Sequence, residues 1–245
     1  MATTQALDLS KYKVKDAPDT AYYIPYFVTN EEGKYLWDQV YGAPKPKWTQ
    51  LSNRRLQNWG GLPHPKGMVA ENLPKWLDVY SRKIAGLGVF DDKVPNHVLV
   101  NEYQAGQGIM PHEDGPLFYP VVTTISLGTH TLLDFYHHRR DSDQTSSLQQ
   151  QSNHTTSTTQ MPGDGDIKFS LLLEPNSLLI LKDSMYTSYL HGITERKEDT
   201  VSDQVANLPV ISYQDGDKLE RTCRISLTIR YVPKTLKIQL KLGKR

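Results

Sequence analysis

The chain reads as α+β and mainly β, with an antiparallel sandwich or jelly roll carrying the chemistry. Three observations predict this. Helical periodicity is confined to the first third, short β-branched or Leu-rich runs fill the rest, and turn residues separate those runs. Helices in a block followed by strands in a block favour a segregated architecture over alternating βαβ units.

The elements follow in order. Residues 1–20 are polar and are expected to form a flexible N-terminal tail. Thr29-Asn30-Glu31-Glu32 is a capping-box pattern, in which hydroxyl and carboxylate each satisfy a backbone N–H at a helix start. Tyr35, Leu36 and Val40 continue at helical spacing, and Gly42 ends the helix. Residues 43–70, rich in Pro and Gly and carrying Trp48 and Trp59, read as an ordered loop or ribbon. Trp76, Leu77, Tyr80 and Ile84 share one face of a second helix, from about Leu73 to Ala85. Six runs then read as strands: 96–103, 121–128, 131–136, 170–174, 177–182 and 224–232.

A single domain is expected over 21–245, with two interruptions. The polar insert, about 138–168, includes residues 141–160, of which 15 are Ser, Thr or Gln. Such a segment cannot bury enough apolar surface to fold by itself. The acidic, turn-rich segment of about 195–220 reads as a mobile surface loop.

Composition excludes several classes. With net charge +1, the protein is not a basic nucleic-acid wrapper, so any such surface must come from local clustering. One cysteine, Cys223, rules out an internal disulfide and fits a reducing compartment. No run approaches the ~18 apolar residues of a membrane span, and the N-terminus shows no cleavage-site pattern. The expectation is an intracellular protein of nucleus and cytoplasm, without a membrane partner and monomeric.

MPHEDG (110–115) raises the question of a metal. At a strand end, His112 and Asp114 project on one face, because side chains alternate with period two. A third ligand is needed. His191, after an apolar run and before a glycine, is placed at a sheet rim, and His130, His137 and His138 near a hairpin are its rivals. His64, between prolines, and His154, in the insert, are set aside, and His97 is expected to satisfy a strand neighbour. Two His and one carboxylate leave open positions, as in non-heme Fe(II) oxygenases. Zinc takes the same ligand types, but its hydrolases commonly use H-E-x-x-H on a helix, which this sequence lacks.

The run Arg224-Ile-Ser-Leu-Thr-Ile-Arg230 sharpens the question. Alternation puts Arg224, Ser226, Thr228 and Arg230 on one face and Ile225, Leu227 and Ile229 on the other. An edge strand with one solvated face has this pattern. So does a diacid site, because a guanidinium fork grips a carboxylate through two bonds. Asn101 and Tyr103, two apart on another strand, can add hydrogen bonds.

The set Asn101-x-Tyr103, His112-x-Asp114, His191 and Arg224-x-Ser226-x-Thr228-x-Arg230 resembles the AlkB family of Fe(II)/2-oxoglutarate dioxygenases. Flanking runs such as APKPKWTQL, LQNWGGLPHP and TISLGTHTLLDFY resemble its homologue-six branch. The resemblance implies a double-stranded β-helix (jelly roll) core with helices outside. It implies Fe(II) on His112, Asp114 and His191, with 2-oxoglutarate and O2 as cosubstrates. Arg224 would take the distal carboxylate, helped by Asn101, Tyr103, Ser226 and Thr228, and Arg230 would orient Asp114 or the cosubstrate. It also implies oxidative N-demethylation of methylated nucleic-acid bases, RNA before DNA, with release of formaldehyde. A protein hydroxylase or demethylase on the same core, and a nucleic-acid-binding module with weak turnover, are the alternatives.

Residues 44–83 carry eight Lys or Arg against Glu71 and Asp78, and residues 221–245 carry eight against no acid. Trp48, Arg54, Arg55 and Trp59 are therefore the candidate nucleic-acid contacts, rings for bases and guanidinium groups for phosphates. Trp48 and Trp59 as plain core residues are the competing reading. Glu113, Tyr119, Asp134 and Tyr136 are placed loosely at the pocket.

Overall fold

Helix α1 (Asn30–Tyr41) starts on the capping box expected of it. Thr29 Oγ1 accepts from Glu32 N, Glu32 Oε2 accepts from Thr29 N, and Gly42 is the C-cap. Helix α2 (Lys75–Ala85) begins after its extended N-cap Pro74, about two residues later than its periodicity suggests, because a proline disfavours the helical conformation of the residue before it, Leu73. A single turn, α3 (Ser184–Thr187), completes the helices. The computed structural model describes residues 7–137 and 167–236. Nearly all of the polar insert, His138, His154 and the last nine residues lie outside the described residues.

The strands are β1 (Ala21–Ile24), β2 (Trp48–Gln50), β3 (Arg55–Trp59), β4 (Met68–Val69), β5 (His97–Tyr103), β6 (Ile109–His112), β7 (Val121–Gly128) and β8 (Thr131–His137). They continue as β9 (Phe169–Leu173), β10 (Leu178–Lys182), β11 (Tyr189–Ile193), β12 (Glu198–Thr200), β13 (Lys218–Glu220), β14 (Arg224–Arg230) and β15 (Thr235–Leu236). A seven-stranded sheet runs β1-β10-β7-β14-β5-β3-β2, and a four-stranded sheet runs β6-β11-β8-β9. All pairings within the two sheets are antiparallel. This is the jelly roll that the order of elements predicts.

Alternation along each strand divides the large sheet between two cores. Val98, Val100, Ile125, Leu127, Ile225, Leu227 and Ile229 pack outward against Leu36 and Val40 of α1 and Leu77, Tyr80 and Ile84 of α2. Tyr103, Val122, Leu179 and Leu181 face inward and meet Leu133, Phe135, Leu171 and Leu173 of the small sheet. The polar face of β14 therefore lies between the sheets and not in solvent. Strand β14 is central, flanked by β7 and β5, so the edge-strand reading of its alternation does not hold. Gly128 ends β7 with φ +85°, and a Cβ there would meet Cys223 O at 2.4 Å, so this tight turn requires glycine.

Two sequence expectations need correction. Residues 7–20 are not a detached tail. Val14 N donates to Ala21 O at 2.9 Å, Val14 joins the inter-sheet core, and Leu9 and Tyr12 pack on the outer one. Three apolar side chains anchor a segment whose overall composition is polar. The 195–220 segment is likewise built, as the β12–β13 hairpin. Asp199 is fully buried and accepts from Arg221 Nε and Nη2 at 2.7 Å each. Val201 and Val205 close over Leu132 and Leu172 beneath it. An acid neutralised by an arginine 22 residues later turns an apparently mobile loop into a packed one.

Candidate active site

The first cluster forms where β6 meets β11. His191 lies opposite His112 in the antiparallel register, with ring centroids 4.6 Å apart. His191 is thus within a strand and not at a rim. His112 Nδ1 lies 2.8 Å from Met110 O, and a carbonyl only accepts, so Nδ1 carries a hydrogen. Asp114 follows the end of β6, with Oδ2 3.8 Å from His191 Nε2. Its Oδ1 accepts from Arg230 Nη1.

Electrostatics keep Asp114 and His191 in the forms a metal takes. Burial works to raise the Asp114 carboxyl, but Arg230, His191 and His112 outweigh it and hold it below the usual carboxylate range. Burial, with His112 nearby, pushes His191 down to about 4, so its imidazole is neutral at physiological pH. Among the described residues no three donors stand gathered in closed ligating geometry, since Asp114 is turned partly onto Arg230. The donor set nevertheless fits Fe(II): two imidazoles and an ionised carboxylate line one cavity.

That cavity, of about 80 Å³, lies between the sheets. All nine side chains singled out for metal and cosubstrate line it: Asn101, Tyr103, His112, Asp114, His191, Arg224, Ser226, Thr228 and Arg230. The remaining lining is largely aliphatic, from Leu99, Val122, Leu133, Leu179 and Leu181 among others. Arg224 is its most informative group. Nη2 donates to Ser126 Oγ at 2.9 Å, while the buried Nε has no partner. Burial pushes this guanidinium down to about 10, and among the described residues it has no carboxylate partner. A buried cation left in that condition is costly unless an anion arrives. Ser126 was missed by sequence reasoning, although its place two residues after Thr124, on the cavity-facing side of β7, could have shown it.

The candidate nucleic-acid contacts are mostly engaged elsewhere. Arg55 is bound to Glu102 by two bonds, of 2.8 and 2.7 Å, with its guanidinium 4.1 Å from the Trp48 ring centre. Arg54 Nε donates to Asn101 Oδ1 at 3.2 Å. Trp59 donates from Nε1 to Gln57, meets Trp76 edge-on at 5.7 Å, and carries Lys47 Nζ 4.4 Å over its ring. Both Trp48 and Trp59 are partly buried against the outer core. Each keeps a cation over its ring, which combines the core reading with the surface one.

Other histidines and loose placements also resolve. His130 Nε2 is 3.4 Å from Asp199, and His137 stacks near Tyr189, so neither is gathered with His112 and Asp114. His97 is fully buried with both ring nitrogens unpartnered, contrary to the expectation of a strand partner, and burial holds it down at about 3. Asp134 accepts from Ser170 at 2.6 Å and Thr194 at 2.8 Å, on the side of β8 opposite the cavity-lining Leu133. Tyr136 shares that outward parity, and Tyr119 donates to Asp91. Neither lines the cavity, nor does Glu113.

Comparison with known proteins gives the family. The family model of the 2OG-Fe(II) oxygenase superfamily matches residues 28–230. A protein of Danio rerio called "Probable RNA/DNA demethylase ALKBH6" is 53% identical over 243 residues, covering 98% of this chain and 97% of that one. The chain is an AlkB-like 2OG-Fe(II) oxygenase. As a member of that superfamily it is a dioxygenase that uses Fe(II), 2-oxoglutarate and O2. The AlkB-like oxygenase also matches "tRNA (carboxymethyluridine(34)-5-O)-methyltransferase ALKBH8" of Macaca fascicularis at 26% identity, over 85% of this chain but 30% of that longer protein. Its fold matches a crystal structure of a 2OG-Fe(II) oxygenase family oxidoreductase from Burkholderia pseudomallei. The TM-score is 0.52 at 10% identity, covering 95% of this chain and 96% of that one. Among the described residues, no helix is long and apolar enough to cross a membrane.

Proposed function

We propose that this oxygenase removes N-methyl groups from nucleic-acid bases, RNA before DNA. The reading rests on one observation above the rest: the His112, Asp114 and His191 donors share a single inter-sheet cavity with Arg224, which has no carboxylate partner among the described residues. The substrate class is carried by the 53% identical relative named for RNA/DNA demethylation. Lys47 over Trp59 supplies a cationic, aromatic flank on the large sheet.

His112, Asp114 and His191 would hold Fe(II). Arg224 would take the carboxylate of 2-oxoglutarate remote from the metal, with Asn101, Tyr103, Ser226 and Thr228 beside it. When bound, Fe(II), 2-oxoglutarate and O2 supply the oxidation, yielding succinate, CO2 and a hydroxylated N-methyl group that leaves as formaldehyde. The protein binds and orients. Arg230 fixes Asp114, Met110 O fixes the tautomer of His112, and aliphatic side chains along the cavity limit water. No side chain is required as a general base. We place the protein in nucleus and cytoplasm, acting as a monomer.

The test is to measure succinate and formaldehyde with Fe(II), ascorbate and 2-oxoglutarate, against methylated RNA and DNA oligonucleotides. Formaldehyde in step with succinate supports the reading. Succinate raised only by peptides, with hydroxylated product, would instead establish the protein-hydroxylase alternative. Tight oligonucleotide binding without either product would establish the binding module.

A further inference from the structure

Arg54 precedes β3, in the turn that joins it to β2, and by sequence it belongs with the nucleic-acid contacts. The structure gives it a different neighbour. Its Nε donates to Asn101 Oδ1 at 3.2 Å, and Asn101 lines the cavity beside Arg224. A guanidinium has donors only. The Asn101 oxygen must therefore be the atom turned toward Arg54, which leaves the NH2 group on the other branch. That NH2 has no partner among the described residues, and it is the kind of donor a carboxylate needs.

Charge points the same way. The Arg54 guanidinium acts together with Arg224 on the Tyr103 hydroxyl, against the burial that raises it. Among the described residues neither arginine has a carboxylate partner, whereas the next residue, Arg55, is fully engaged with Glu102. The only carboxylate among the cavity-lining side chains, Asp114, is held by Arg230 at the other end of β14. The Arg224 end of the cavity thus carries a guanidinium, a phenol and an amide NH2, with Arg54 on the oxygen of that amide and no carboxylate among the described residues lining that end. Its turn is pinned as well, because Leu51 N donates to Arg54 O at 2.9 Å and Asn53 Nδ2 donates to Glu195 Oε1.

We propose that Arg54 is a positioning residue for the diacid cosubstrate: through its bond to Asn101 Oδ1 it sets the Asn101 amide with NH2 toward the ligand. This rests on the assignment of the cavity to 2-oxoglutarate. It moves Arg54 from the nucleic-acid surface to a supporting place on Asn101 of the cosubstrate pocket.

The experiment is calorimetric titration of the full-length, Mn(II)-loaded protein with 2-oxoglutarate, and separately with 2-oxobutyrate, which lacks the remote carboxylate. Arg54→Met is expected to weaken 2-oxoglutarate binding roughly tenfold, the scale of one hydrogen bond to a charged group. Arg54→Lys, still a donor and a cation, recovers most of the loss. The weak binding of 2-oxobutyrate is unchanged in Arg54→Met, which a general structural defect would not spare. On an Asn101→Ala background, Arg54→Met costs less than it does alone. Unchanged 2-oxoglutarate affinity in Arg54→Met, with a clear loss in Arg224→Met, overturns the proposal and leaves the pocket assignment standing. Unchanged affinity in both overturns the pocket assignment and the proposal with it. A loss confined to oligonucleotide binding returns Arg54 to the nucleic-acid surface and also overturns it.

Discussion

Arg230 Nη1 donates to Asp114 Oδ1, so the last residue of β14 in the large sheet holds a carboxylate that follows β6 in the small one. Both side chains are buried, 9% and 5% exposed. The bond therefore ties the two sheets together and also keeps a buried carboxylate ionised. Breaking such a pair by removing one partner costs more than the pair contributes, because the other charge stays buried.

Arg230→Met should destabilise the protein by roughly 3–5 kcal/mol. It should also weaken Mn(II) binding about 10–100-fold, the usual cost of losing a partner that orients a metal ligand. Urea denaturation and metal titration check the two effects separately. Wild-type stability in this variant would mean that Asp114 finds another donor.

The β12–β13 hairpin should respond to acid through Asp199. Burial raises that carboxyl, but His130, Arg221 and Arg196 outweigh it and bring it from 3.8 down to about 2. A folded-state pKa below the unfolded one means stability that is complete above 3.8 and lost as pH falls toward 2. In Asp199→Asn that acid-dependent loss should vanish. At neutral pH the variant should already be less stable by roughly 3–5 kcal/mol, since Arg221 is left buried without its anion. Equal acid sensitivity in wild type and variant would remove Asp199 from this role.

Arg55→Ala separates fold from recognition. It strips Glu102 of its ion pair, though Tyr41 and Gln104 still donate to that carboxylate. Arg55 is 34% exposed, so solvent screening limits the loss to roughly 1–2 kcal/mol. The salt slope of oligonucleotide binding should stay unchanged. A slope shallower by about one unit would make Arg55 a phosphate contact.

Thr29→Ala removes the α1 cap far from the cavity. It should cost about 1 kcal/mol in chemical denaturation and leave turnover of 2-oxoglutarate unaltered.

What was legible in the sequence was local. The α1 cap, the α2 face and the alternation of β14 each depend on residues a few positions apart, and each forms as its pattern suggests. The cavity-lining set was legible because β5 and β14 alternate cleanly and lie side by side, with Asn101 opposite Ser226 and Tyr103 opposite Arg224. What was hidden depends on distant partners. Asp199 meets Arg221, Arg55 meets Glu102 and Val14 meets the inter-sheet core only after the chain has folded back. Composition alone therefore read those segments as a mobile loop, a free cation and a loose tail. His191 shows the boundary between the two cases. Its residue type suggested a ligand, but its place opposite His112 comes from β11 pairing with β6 across a register shift.

The most direct test of the account is metal stoichiometry, read by anaerobic titration with Fe(II) and elemental analysis of the protein after desalting. The account predicts one Fe(II) per chain in the wild type and in His64→Ala, whose ring lies in an exposed loop. It predicts loss of that iron in His112→Ala, Asp114→Ala and His191→Ala, each with its circular dichroism retained. Full iron in any of those three folded variants would contradict the assignment of the site.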